Sequence, residues 1–320
     1  MDEETTLARS LRVYDKQAAY DAAAKKLLSE RIILAWILKY CVKEFQDCAI
    51  EEIAEKYIVG TVEIDETPIL PDETNAPKKK RPVPPQIESV GIEENYRSEG
   101  ANLYDIRFHA RAPGTGHLIH LIINLEIQQD FSPGYPLLKR GVFHVSRQIS
   151  SQYGTIFTHS HYEKIRKVYA IFICPYPAKE YQNTITRYRT MEENVVGRVH
   201  APEEHYDLTT VVMVCLGGAG DENYQGLLKM LDTLLSDTLD YPEKKQILQE
   251  QFDIPMTETM EEEVRTMCNL GQGIAEKSRM ETLLTALHNL MESLNLSVDQ
   301  AMNALKVPEA DRPKYRELLG

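Results

Sequence analysis

Residues 118–128 read LIHLIINLEIQ, from Leu118 to Gln128. The run is rich in β-branched residues and nearly continuous in apolar character, which predicts a central strand buried on both faces. One carboxylate interrupts it, at Glu126. Gln128 follows two residues later, and residues i and i+2 of a strand project from one face. Upstream, Leu103, Asp105 and Arg107 alternate with Tyr104, Ile106 and Phe108, predicting a second strand. Pro113-Gly114-Thr115-Gly116 is a strong turn signal between the two. A hairpin of this kind brings Asp105 beside Glu126 and Gln128. Two carboxylates at one point on a sheet repel unless a cation lies between them, and hard oxygen donors with completing waters suit Mg²⁺. The alternative is that Glu126 is a solvent-facing residue on a half-exposed sheet. Against it, Leu121, Ile122, Ile123, Leu125 and Ile127 surround the acid with apolar neighbours, where an unpartnered carboxylate is costly.

Moving outward, residues 17–45 predict one long helix that is apolar over most of its circumference, followed by a short helix over 50–57. Residues 67–86 hold PKKKRPVPP, a proline-extended linker or surface loop. PKKKRP also has the look of a basic import tag, although a solvated basic loop is the plainer reading. Residues 137–153 predict a helix with Leu138, Val142, Val145 and Ile149 on its buried side, ended by Gly154. KVYAIFIC (167–174) and DLTTVVMVCLG (207–217) predict two further core strands. From Asn223 the chain reads as helical, with breaks near 241–242, 253–255, 295 and 307–308. Leu283, Leu284, Leu287, Leu290, Met291 and Leu294 form a helical stripe, and Ser297 with Gln300 a capping box. The organisation is therefore 1–66 (N-terminal helices), 67–86 (linker), 87–220 (sheet and helix) and 221–320 (acidic helices).

The chain has 320 residues, a formal charge of −13 and an ordinary globular composition, 42% hydrophobic and 27% charged. Its best apolar run, Ile32–Leu38, is too short for a membrane helix, and the acidic start MDEETT is neither a signal nor a transit peptide. Five scattered cysteines read as free thiols of a reducing cytosol. The net charge alone argues against nucleic acid, but its distribution does not. Residues 1–77 sum to −7 and 201–320 to −12, whereas 78–200 sum to +6. Whatever meets an anion belongs in the middle segment.

An acid on one strand and E-x-Q on the next, after a helix bearing Glu and before a basic helix and a further apolar strand, resembles the PD-(D/E)XK nuclease superfamily. The likeness is closest to its transposase-like, recombination-promoting branch in bacteria. It is carried by LSERIILAWILKYCVKEF (28–45), YDIRFHA (104–110), LIINLEIQ (121–128), FSPGYPLLKRGVFHVSRQISSQYG (131–154) and YEKIRKVYAIFIC (162–174), and more loosely by MCNLGQGIAEKS (267–278). The resemblance implies an α/β (α+β) fold with a restriction-endonuclease-like core: a helix, three mostly antiparallel strands, a helix and a further strand, here with a helical C-terminal extension. It implies Asp105 and Glu126 as metal ligands with the Ile127 carbonyl, and Glu30 as the helix acid that reaches the metal through water. Gln128 takes the place of the superfamily's usual lysine. An amide can orient an attacking water but cannot stabilise charge as an ammonium does. Arg147 is the candidate to supply that charge, with Lys139 and Arg140 as alternatives that hold the phosphate backbone. Gln148 and Tyr153 would line the same groove.

The expected activity is thus Mg²⁺-dependent hydrolysis of DNA, with Mn²⁺ as a substitute, little sequence specificity, no organic cofactor and no membrane. A bacterial cytosolic setting and a homodimer that cuts both strands go with it. Two other classes compete: a degenerate nuclease fold that binds DNA or a partner without cutting, and an interaction module assembled through its acidic helices. Weaker signals read as structure. His159-Ser160-His161 lacks further ligands at metal spacing. Gly217-Gly218-Ala219-Gly220 lacks the ending of a phosphate loop and reads as a turn before a helix capped by Asp221.

Overall fold

The computed structural model describes residues 19–63, 106–114, 116, 118–125, 134–309 and 311–319. Its strands are β1 (Ile58–Glu63), β2 (Ile106–Arg111), β3 (Leu118–Leu125), β4 (Val168–Cys174), β5 (Thr184–Arg189) and β6 (Thr209–Cys215). They form one mixed sheet in the order β1-β2-β3-β4-β6-β5. β2 is antiparallel to both of its neighbours, β1 and β3; β3, β4 and β6 run parallel, and β5 lies antiparallel on β6. The architecture is mixed α+β. β4 is buried at every position, as its unbroken apolar run requires, and β6 at all but its first.

Two helical layers cover the sheet unequally. One face, with Phe108, Tyr169, Ile171, Ile173, Val212 and Val214, packs under the helix at 19–28 (α1) and α2 (Arg31–Cys41). The same core includes residues of α5 (Gly226–Leu235), α6 (Tyr241–Phe252) and the first part of α7 (Glu258–Leu294). The N-terminal and C-terminal helices therefore share one core. On the other face Val168, Ala170, Phe172, Val211 and Met213 pack against α4 (Leu137–Ser151). The Leu283–Met291 stripe closes a separate small core with α8 (Val298–Ala304) and α9 (Arg312–Leu319), while Leu294 stays exposed. No helix among the described residues is long and apolar enough to cross a membrane.

Several expectations need correction. The single helix over 17–45 is broken: Ser29 Oγ turns back to the Lys26 carbonyl at 2.6 Å. Glu30 then adopts an extended conformation (φ −61°, ψ 131°) as N-cap of α2. The helix at 50–57 is one α-turn, α3 (Ile50–Glu52), continued by a π-turn over Ile53–Tyr57. β1 and β5 were not foreseen. In β1, Gly60 at φ 74° accompanies a register shift between Val59 and Glu63, so no regular alternation survives. β5, TITRYR, is the last strand of the sheet and only half-covered.

The buried side of α4 also differs from the expected stripe. Leu137, Gly141, His144, Val145 and Gln148 face the sheet, Leu138 and Ile149 flank them, and Val142 is 51% exposed. Gly141 sets this rotation. A Cβ there would stand 2.6 Å from Val211 Cγ1 and 3.1 Å from Phe172 Cε2, so the helix seats against β4 and β6 only because that position has no side chain. Asp221 caps a turn, accepting from the Asn223 amide at 2.8 Å; α5 starts later, with Gln225 as N-cap. The breaks at Asp253 and Asn295, both left-handed at φ 50°, and the Ser297–Gln300 capping box are found where expected.

Candidate functional site

The β2–β3 register sets Ile106 opposite Ile123 and His109 opposite His120. Ile106, Phe108 and Ala110 are buried in the helical core, so Arg107, His109 and Arg111 belong to the other face, the one that carries α4. Directly paired residues share a face. The register therefore matches odd positions of β2 with even positions of β3, and Ile119, paired with Ala110, is buried with it in the opposite core. β2 begins at the same end of the sheet at which β3, β4 and β6 finish. Asp105 precedes β2 by one residue, and Glu126, Ile127 and Gln128 follow β3; all four lie outside the described residues. Among the described residues no group of three or more His, Cys, Asp or Glu could hold a metal ion.

α4 starts at that same end. Its far end is fixed by buried Gln152, whose Nε2 donates to the Arg166 carbonyl while its Oε1 accepts from the Arg166 amide, both at 2.8 Å. Arg166 leads into β4, so the helix runs antiparallel to the parallel strands. Lys139 and Arg140 lie in its first turn, at the end of the sheet where β4 and β6 finish. Arg147 lies about 10 Å further along the axis, with its guanidinium carbon 5.9 Å from the centre of the Phe143 ring. Lys139 is exposed and enters no ion pair among the described residues. Tyr153 is exposed at the distal end. Gln148, expected in the groove, is instead buried at 6% exposure, and among the described residues its Nε2 finds no acceptor. His144, fully buried against Phe172, has its pKa pushed down to about 3 by burial and then by the Arg140 charge, so it is neutral at physiological pH.

Glu30 is placed elsewhere. The next residue, Arg31, donates to the carbonyls of Ala54 (3.0 Å) and Ile58 (2.8 Å). Ile58 opens β1 opposite Ala110, at the far end of the sheet from the start of β2. Burial, then the nearby Glu263, raise the Glu30 pKa, and Lys26 opposes them. No described contact brings Glu30 to the starts of β2 and α4.

Three basic residues were missed in sequence: Arg107, His109 and Arg111 line the α4 side of β2, half-buried or exposed. The signal was available, since RFHAR places a basic residue at every second position of a strand whose alternate residues are apolar.

At the opposite end of the sheet a cavity of about 520 Å³ opens among the turns that lead into β4 and β6, lined by Lys43, Glu44, Lys167, Glu203, Asp207 and Leu208 among others. Its charges are mostly engaged with one another. Lys167 Nζ reaches Asp207 Oδ2 at 2.7 Å and Glu44 Oε1 at 3.0 Å, and Tyr169 donates to Glu44 Oε2 at 2.6 Å. Lys43, 2.7 Å away, and then Arg189 hold the Glu203 carboxyl down to about 2. Burial, followed by Glu44, raises the Tyr169 pKa well above the usual phenol range. This network ties the turns at 43–45 and 203–205 to the starts of β4 and β6 and to Arg189 of β5. His159 and His161 sit in an exposed turn, where His161 pairs with Glu163 at 3.0 Å. None of the five cysteines forms a disulfide. Compared with protein-family models, with curated proteins and with solved structures, the chain matches none of them.

Proposed function

We propose that this chain is a Mg²⁺-dependent DNA endonuclease of the PD-(D/E)XK type, with its site at the start of β2 and the finish of β3, on the α4 side of the sheet. One observation carries the reading. The β2–β3 register gives odd residues of β2 and even residues of β3 the same face. The proposal extends that parity by one residue before β2 and three beyond β3, which groups Asp105, Glu126 and Gln128. The order of elements, a helix followed by three antiparallel strands, a helix and a parallel strand, supports it. So does the position: ligands of open sheets gather at the carboxyl ends of parallel strands.

Two carboxylates and the Ile127 carbonyl are hard oxygen donors, a set that fits Mg²⁺ and tolerates Mn²⁺. When bound, such an ion supplies Lewis acidity and an acidified water. Gln128 orients the attacking water by hydrogen bonding. Arg140, in the helix turn nearest this end, offers the charge that an amide lacks; Arg147 is too far along α4 to be the first choice. Lys139, Arg107 and Arg111 offer phosphate contacts, so binding should weaken steeply with salt. Nothing in the sequence reads base edges, so little sequence preference follows. Recombination or transposition in a bacterial cytosol, with two copies for two strands, suits such an enzyme.

The substitution of Gln128 for lysine favours a second reading, a degenerate nuclease fold that binds DNA or protein without cutting. Plasmid nicking with Mg²⁺ or Mn²⁺, wild type against Glu126→Ala, decides between them. Metal-dependent nicking lost in the variant supports the enzyme. Equal DNA binding without nicking in either protein supports the binding module, and no DNA binding refutes both DNA readings.

A further inference from the structure

Phe143 lies in the middle of α4 and is 49% exposed, although its neighbours His144 and Val145 are buried. Lys139 and Arg140 precede it by four and three residues, and Arg147 follows by four. On a helix those are the positions that surround a side chain. The Arg147 guanidinium approaches the ring at 5.9 Å. Tyr135 and Tyr153, at the two ends of the same helix, are 47% and 46% exposed. From Phe131 to Tyr162 the sequence holds no Asp or Glu, in a chain with 49 of them. An exposed aromatic ring with one cation against it and others within a helical turn along the sequence, in an acid-free segment of an acidic protein, is complementary to a polyanion that carries flat apolar bases.

In duplex DNA the faces of the bases are already stacked and closed to a surface ring; a base reaches such a ring only after leaving the helix. We infer that the outer face of α4 is a stacking platform for unpaired bases, with Phe143 at its centre, and that the preferred substrate is single-stranded or locally opened DNA. The inference rests on the nuclease reading for its choice of DNA and deepens it by naming the strand state.

The test is fluorescence anisotropy with a labelled short oligothymidylate and a duplex of equal length, in EDTA so that cleavage plays no part. Phe143→Ala should weaken oligothymidylate binding about five-fold or more, Phe143→Trp should restore it, and duplex affinity should change by less than about two-fold. Because Phe143 is exposed, both variants should keep the wild-type melting temperature, and Tyr153→Leu supplies a second, independent loss. Equal binding of oligothymidylate by wild type and Phe143→Ala overturns the inference, as does an equal loss for duplex. A wild-type dimer that Phe143→Ala converts to monomer with oligothymidylate affinity intact also overturns it, since the ring then serves a second copy. Absence of Glu126-dependent nicking, with Phe143-dependent oligothymidylate binding retained, would refute the nuclease and leave the stacking platform standing.

Discussion

Replacing His144 with leucine should flatten the acid side of the protein's stability curve. The imidazole is fully buried, 5.9 Å from the Phe172 ring and 6.4 Å from Phe143, and burial with Arg140 holds its pKa at about 3. In the unfolded chain the value returns to about 6.5. Between these two values the unfolded state binds a proton that the native state refuses. Stability from this group is therefore complete above pH 6.5 and is lost as pH falls towards 3. From pH 7.5 to 4.5 the loss is about 3 kcal/mol. His144→Leu removes it, while every other group titrates alike in both proteins and cancels in the difference. With a urea m-value of about 3 kcal/mol/M, the midpoint of the variant relative to wild type should rise by about 1 M between pH 7.5 and 4.5. Urea titrations followed by circular dichroism at four pH values across that range measure it. A midpoint difference that does not change with pH would falsify the assignment of a buried neutral histidine under α4.

Gly141→Ala should destabilise by about 1–3 kcal/mol despite the helix propensity it gains, because the new Cβ meets Val211 Cγ1 at 2.6 Å; adding Val211→Ala should recover most of the loss in the melting temperature. Gln152→Leu should cost about 2 kcal/mol or more by leaving both main-chain groups of Arg166 without the partners they have at 2.8 Å. Amide exchange at Arg166 should accelerate with it, and unchanged protection there would mean that the segment before β4 is held by something else.

The parts of the fold that were legible in sequence are those where burial and local pattern agree. β4 and β6 are covered on both faces, so KVYAIFIC and TTVVMVC show unbroken apolar character. The C-terminal helices end at residues that announce themselves, Asp253 and Asn295 in left-handed geometry and Ser297 in a capping box. What was missed depends on tertiary context. Residues 19–41 have continuous helical propensity, and the break at Ser29-Glu30 appears only where α1 and α2 pack on different parts of one core. On α4, the apolar period gave weight to Val142, whereas close approach to β6 selects the small Gly141 and a histidine. At the candidate site, the acids stood out because charge is rare in an apolar strand. Arg107, His109 and Arg111 did not, because an alternating strand with polar residues on one face looks like any half-solvated sheet.

That contrast bears on the net charge of −13, which argues against DNA only if the charges are mixed over one surface. The sheet separates part of them. The segment 201–320, at −12, supplies α5, α6 and the first part of α7 to the core on one side of it. Lys139, Arg140 and Arg147 stand with α4 on the other side, and Arg107 and Arg111 share that face of β2. A sheet and a helical layer separate the two charged surfaces by on the order of 20 Å. At physiological salt the Debye length is about 8 Å, so acids behind the sheet act weakly on a polyanion approaching α4. Such acids would repel it from the other face. The acid-free segment 131–162 contains the helix that covers the second face; under the proposed DNA reading, a carboxylate placed there would oppose docking at close range, whereas one on α7 would not.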